Sequence, residues 1–199
     1  MNEVSEIRDS SEETKATEVS EKCACPDTYP DWDGQDIDLA GRCVHQMPIK
    51  TAFHMPLGYD TYVNKQYLNI RELELTEIWP MMVLTRTKLF GGEIIRFIED
   101  AESASRMVQF LAPPFMVNIL LHHGGIGTIR KSMRQQQMGI LDSGKIPKEL
   151  YLAHLTCPVC EEKKGGDKIL LFRRWVASSR LSAALKAKEK RQTAKDRKK

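Results

Sequence analysis

Gly165-Gly166-Asp167-Lys168-Ile169-Leu170-Leu171-Phe172 restates in outline an earlier stretch, Gly91-Gly92-Glu93-Ile94-Ile95-Arg96-Phe97: a glycine pair, an acid, and an apolar run ending in Phe. Upstream of each, a strand-like run reaches a His and then a Gly, as Phe53-His54-Met55-Pro56-Leu57-Gly58 and as Leu121-His122-His123-Gly124. Two copies of one pattern predict a duplicated half-domain paired about a pseudo-twofold axis, with a ligand groove where the copies meet. In this alignment His54 stands where the second copy has His122.

The segments between these anchors complete the repeat. Val44 to Met55 reads as a strand interrupted by Pro48, which fits a sheet edge. Residues 59–78 carry Tyr59, Tyr62, Val63, Tyr67, Ile70 and Leu73 at helical spacing, and Met81–Thr87 and Glu93–Ile98 read as strands around a turn at Gly91 and Gly92. The second copy follows the same order: a strand over Pro114–His122, a helix over Thr128–Leu141 stopped by Asp142-Ser143-Gly144, then strands over Glu149–Thr156 and Lys168–Trp175. The fold class is therefore α+β, with tandem β-α-β-β repeats forming a cupped antiparallel sheet and helices on one face. Tyr59 and Trp79 lie on or just beyond an apolar stripe, so core packing competes with a ligand-binding role for both. His122 and His123 are adjacent on a strand and must face opposite sides of the sheet.

With 199 residues, 41% of them hydrophobic, the chain can bury one ordinary core, which excludes a second large domain. The net charge of +3 conceals an asymmetry. Residues 1–22 are acidic and nearly devoid of apolar side chains, the composition of a disordered tail. Residues 23–43 form a turn-rich wrapping segment that holds Cys23 and Cys25, with Tyr29 and Trp32 as apolar anchors. Residues 44–176 form the core domain, and 177–199 a basic, alanine-rich helical tail. That tail lacks aromatic residues and a preceding helix-turn-helix pattern, so a solvated helix is expected, with no specific nucleic-acid partner. Asp31, Asp33, Asp36 and Asp38 imitate the start of a calcium loop, but no glutamate closes it. No apolar run approaches the roughly 20 residues of a membrane span, and no secretory leader is legible, so a cytoplasmic protein without a membrane partner is expected. The oligomeric state is left open.

Five cysteines in a reducing compartment point to free thiols, metal ligands or redox groups before disulfides. Cys157-Pro158-Val159-Cys160 is a knuckle able to place two sulfurs on one metal ion, and Cys23-Ala24-Cys25 could fold back to complete a four-thiolate structural Zn2+ site, with Cys43 or His154 as substitutes. A redox role would need the first thiolate at a helix N-terminus, whereas this motif falls in an expected hairpin and precedes Glu161 and Glu162, whose charges oppose thiolate formation.

The order His122-His123-Gly124, helix, Gly144, Pro147, Glu149-Leu150-Tyr151-Leu152 resembles the GyrI-like small-molecule-binding (effector-binding) family, which is related to the SOUL haem-binding fold. The resemblance spans about Val44 to Trp175. It implies that Glu149 points into the central groove and contacts a cationic or polar ligand. In hydrolysing members of the family the equivalent carboxylate activates water, which makes Glu149 and Tyr151 candidate catalytic residues, as base and polariser. A carboxylate walled by apolar groups suits proton transfer, and Tyr151 shares the strand face of Glu149. The ligand set is His54, Tyr59, Trp79, His122, Glu149 and Tyr151. Gly125 and Ile126 replace the family's usual Pro-Tyr and remove one pocket aromatic. A Cys-Pro haem ligand at Cys25 or Cys157, borrowed from the SOUL relationship, is the weakest of the cofactor expectations. Binding of a small organic molecule, with or without its hydrolysis, is the leading expectation. A non-enzymatic effector or xenobiotic sensor, or a zinc-stapled interaction module, is the alternative.

Overall fold

The computed structural model describes Cys23 and residues 25–196. The acidic stretch 1–22 lies outside the described residues. The first repeat contains β2 (Cys43–Ala52), β3 (Met55–Pro56), α1 (Tyr59–Glu72), β4 (Leu84–Thr87) and β5 (Phe90–Phe97). The second contains β7 (Met116–His123), α2 (Ile129–Asp142), β8 (Lys145–His154) and β9 (Lys168–Ala177). Two short strands were not expected from the sequence: β1 (Asp36–Asp38), and β6 (Val108–Phe110), which pairs with β2. All strands join one antiparallel sheet in the order β1-β7-β9-β8-β4-β5-β2-β3. The fold is α+β, with an open, cupped sheet.

The register reveals the internal symmetry. His45 pairs with Arg96 across β2 and β5, and Asn118 pairs with Arg173 across β7 and β9. Each helix carries a buried glutamine at its eighth position. Gln66 donates to the carbonyls of His45 (2.9 Å) and Ile94 (3.3 Å), and Gln136 donates to those of Asn118 (2.9 Å) and Leu171 (3.2 Å). His45 therefore corresponds to Asn118, Arg96 to Arg173 and, four residues along, Ile49 to His122. His54 is not the counterpart of His122: it sits in the β2–β3 turn with φ 66°, past the end of the strand. Following the same register, Leu84 corresponds to Tyr151 and Thr85 to Leu152. Thr85 and Leu152 are also each other's partners across the seam, so the pseudo-twofold axis passes between them.

Side-chain alternation divides the apolar residues between two faces. One face, carrying Val44, Leu84, Ile95, Phe97, Val117, Ile119, Tyr151, Ala153, Leu170 and Phe172, forms a core continuous through both repeats. It is covered by the amino-terminal wrapping segment and by loops, with Trp32, Leu39, Trp79 and Phe115 as the main contacts. The opposite face carries α1 over Met47, Ile49 and Ile94, and α2 over Ile169 and Leu171. Trp32 packs edge-on against Trp79 at 5.0 Å, as an anchor should, whereas Tyr29 remains exposed. The acidic residues of the wrapping segment pin it to the sheet. Asp33 accepts from the Leu121 amide (2.7 Å), and Asp36 accepts from Asn118 (3.0 Å), Trp175 (3.2 Å) and Lys145.

Two boundaries differ from expectation for local reasons. α1 ends at Glu72, because Glu74 adopts φ 55° and the Leu75 amide reaches back to the Ile70 carbonyl, a Schellman stop made without glycine. The turn before β5 is Lys88-Leu89, and Gly91 and Gly92 lie inside β5 where its pairing with β2 slips. A Cβ on Gly92 would sit 2.4 Å from the Arg86 carbonyl oxygen, so glycine there serves a bulge and a close backbone approach. The carboxy-terminal segment forms α3 (Ser179–Asp196), none of whose described side chains is buried. No helix among the described residues is long and apolar enough to cross a membrane.

Candidate functional site

β4 and β8 pair only through Leu84↔Ala153 and Thr85↔Leu152. Beyond Thr85 the strands part, and a cleft of about 760 Å³ opens over the seam, within the range of small-molecule sites. Its floor holds Thr85, Leu150 and Leu152, and its walls include Tyr59 from α1, Met133 from α2, and Ile126. Because the gap interrupts the sheet, side chains from both faces border it: Arg173 from the helix face, and Arg86 and Glu149 from the other.

Tyr59 donates to or accepts from Thr85 at 2.7 Å, and burial raises its pKa above the ordinary tyrosine value. Arg86 is held by the Glu93 carboxylate at 3.0 Å and reaches the Tyr151 hydroxyl at 3.4 Å. Burial works against the Arg86 charge, but the Tyr151 hydroxyl and the Glu93 and Glu149 carboxylates outweigh it, and the pKa moves up. Glu149 makes a 3.6 Å ion pair with Arg174, whose guanidinium lies over the Phe115 ring at 4.9 Å. The charges Glu93, Arg86, Glu149 and Arg174 thus alternate in sign across the seam.

Three of the six ligand candidates reach the cleft: His54, Tyr59 and Glu149. The other three do not line it. Tyr151 is 4% exposed and packs into the core beneath the wrapping segment, paired with Phe172 on the covered face, whereas Leu150 and Leu152 on either side of it face the cleft and Glu149 sits at the irregularity between Pro147 and Leu150. Burial pushes the Tyr151 hydroxyl pKa up. Trp79 stacks edge-on against both Trp32 and Phe97 on the same covered face. His122 is buried under α2, bonded to Ser132 (2.8 Å) and Thr128 (3.0 Å), whereas its neighbour His123 faces out. Arg86, Arg173, Met133, Leu150 and Leu152 line the cleft without having been candidates.

The second site lies on the β8–β9 connection. Cys23, Cys25, Cys157 and Cys160 place their sulfurs within 4.8 Å of one another, with 3.6 Å between Cys23 and Cys157 and 3.8 Å between Cys157 and Cys160. Four thiolates about 2.3 Å from a tetrahedral ion stand about 3.8 Å apart, so this donor set fits one metal ion. The Cys157-Pro158-Val159-Cys160 turn is closed by the Cys160 and Glu161 amides on the Cys157 carbonyl (3.0 and 2.9 Å). The same turn aims the Cys160 amide, and more weakly the Val159 amide, at the Cys157 sulfur, which brings its pKa down to about 7. The neighbouring Glu161 and Glu162 do not prevent this, because backbone donors at contact distance outweigh exposed charges. Burial, followed by the surrounding sulfurs, drives Cys25 in the opposite direction.

The fold is similar to that of the EcmrR C-terminal domain, whose crystal structure superposes with a TM-score of 0.54 at 11% identity, covering 72% of this chain and 96% of that one. A cryo-EM structure of an EcmrR–DNA complex matches with a TM-score of 0.48 at 10% identity, covering 72% of this chain and 56% of that one. No curated protein matches. The model of one family, described as bacterial hydrolase, matches residues 14–175, and the chain belongs to that family.

Proposed function

We propose that this protein binds a small organic molecule in the cleft between its repeats, and that a structural Zn2+ on Cys23, Cys25, Cys157 and Cys160 staples the wrapping segment to the β8–β9 connection. The observation that carries the first part is the position of the cleft: about 760 Å³ of mostly apolar space lined by Thr85 and Leu152, where the two copies meet. Apolar walls with a few charged groups at one end are what a drug-sized ligand requires. In the staple, zinc supplies four coordinate bonds and no redox chemistry, and the Cys157 amide turn stabilises the thiolate it needs. All-thiolate sites persist where thiols stay reduced, which fits a cytoplasmic protein. The core domain, residues 44–176, would hold the cleft, with residues 23–43 as its strap.

A thermal-shift screen of apolar, cationic and anionic compounds tests the binding function. Hits should stabilise the wild type and be lost in Leu152→Trp, which fills the floor of the cleft; hits retained in that variant would refute it.

Turnover is a second function, favoured by the family's description and by Glu149 reaching the same cleft. In it, Glu149 takes a proton from water as the water oxygen bonds to the electrophilic carbon of an activated ester or strained ring, and the departing oxygen is protonated from solvent. Arg86 is better placed than Tyr151 to polarise the substrate, since it borders the cleft. Hydrolysis of such compounds that is abolished in Glu149→Gln supports turnover; binding without turnover in both proteins supports a sensor.

A further inference from the structure

Arg96 and Arg173 occupy equivalent positions in the two repeats and have opposite fates. Arg96 is fully buried, donates from Nε to Gln66 Oε1 at 3.2 Å, and holds both oxygens of Glu77 at 2.9 Å. In the second repeat the corresponding bond is missing on both sides. Arg173 Nε and Gln136 Oε1 are each buried without a hydrogen-bond partner. The Arg173 guanidinium has swung away, donates to the Lys148 carbonyl at 3.2 Å, and borders the cleft. Among the described residues no acid takes the place of Glu77, because Glu77 belongs to the long α1–β4 connection, whereas α2 reaches β8 through Ser143 and Gly144 alone. The nearby carboxylates are engaged elsewhere, Glu149 by Arg174 and Glu93 by Arg86. Burial lowers the Arg173 pKa, in contrast to the upward shift of Arg86 among its carboxylates.

A partly desolvated guanidinium without a counter-ion among the described residues, at the edge of an apolar cavity, is short of an anion. We propose that Arg173 is the anion anchor of the cleft, and that the ligand joins an apolar body to an oxyanion, a carboxylate or a phosphate. A planar guanidinium offers such groups two parallel hydrogen bonds. This assignment rests on the small-molecule function proposed above and gives that ligand a sign opposite to the cationic partner implied by the resemblance.

A matched pair of fluorescent probes separates the two claims. N-phenyl-1-naphthylamine is neutral, and 1-anilinonaphthalene-8-sulfonate presents a similar apolar body with an oxyanion. The wild type should bind the sulfonate at least about tenfold more tightly than the neutral probe, the worth of one charge-assisted contact. Arg173→Gln should remove that preference, weakening the sulfonate about tenfold relative to the neutral probe. Arg173→Lys should restore part of it, and Arg174→Gln, which removes an equal charge on the other face, should leave it intact. Displacement by octanoate and octyl phosphate, compared with octanol, identifies the oxyanion. Equal affinity for the two probes in the wild type, a preference that survives Arg173→Gln, or displacement by both acids no better than by octanol overturns the anchor while leaving the cleft. Failure of both probes to bind removes the cleft function and the anchor with it.

Discussion

The equivalence of Arg96 and Arg173 predicts that one substitution at two symmetry-related positions has opposite consequences. In Arg96→Met the Glu77 carboxylate, its side chain 9% exposed, loses both of its 2.9 Å hydrogen bonds from Arg96 Nη1 and is left without that cation. Breaking a buried pair from one side costs about 3–5 kcal/mol. For a chain of this size each kcal/mol moves the midpoint by about 2–4 °C, so Tm should fall by about 6–20 °C. Arg173→Met loses one hydrogen bond to a carbonyl but also removes a desolvated charge that has no counter-ion among the described residues, and these effects nearly cancel, to within about 1 kcal/mol. Replacing both members of the buried pair, as Arg96→Met with Glu77→Leu, should recover most of the loss, since apolar groups of similar volume serve as well as a buried ion pair. Urea unfolding followed by tryptophan fluorescence suits the comparison, because Trp79 stacks on Phe97 next to Arg96. Equal costs for the two single variants, or a double variant no better than Arg96→Met alone, would refute the asymmetry.

The remaining predictions concern the staple and a buried histidine. The link between Cys23 and Cys157 closes a span of 134 residues, for which chain entropy alone is worth about 5 kcal/mol, so chelation of the metal should lower Tm by roughly 10–20 °C, and an unchanged melting curve would exclude a cross-link. In metal-stripped protein, Cys157 should be alkylated first by iodoacetamide, with half-maximal rate near pH 7, while Cys25 lags; mass mapping after brief labelling reads the order. His45 is wholly buried, and desolvation lowers its pKa below the usual 6.5. The unfolded chain therefore takes up a proton below about pH 6.5 that the folded one refuses, and stability falls as pH drops through that point. The urea midpoint should decline from pH 7.5 to 5.5 in the wild type and decline less in His45→Asn.

Much of this fold was legible because strands and helices obey local periods. The tandem order and the sheet class follow from apolar runs such as Ile94-Ile95 in β5 and Val117 to Leu121 in β7, and the two helices from the spacing of the apolar residues that lead to Ile70 and Ile140. The anchors chosen to align the copies were out of register. Gly91-Gly92 lies within a strand and Gly165-Gly166 in the connection before β9, so their likeness is compositional. The true marker of the repeat is a glutamine in the middle of each helix, Gln66 and Gln136, where an apolar residue is the ordinary choice. The four cysteines were legible as a set because thiolate chemistry has few ligands to choose from. Arg173 was not, since in Arg173-Arg174-Trp175 only the register decides which arginine meets the cleft and which the opposite face. Tyr151 shows the limit of strand parity: it alternates correctly with Leu150 and Leu152, yet a bulge two residues earlier separates its surroundings from those of Glu149.

A ligand bound as proposed sits on the axis between the repeats, on the helix side of the sheet. Methyl-resolved NMR during titration with N-phenyl-1-naphthylamine tests it most directly. Saturable shifts are expected at Met133, Leu150 and Leu152, which border the cleft, with Val117, Ile119 and Leu170 on the covered face unmoved. Shifts concentrated on that covered face, or no saturable shift at the three cleft residues, would contradict it.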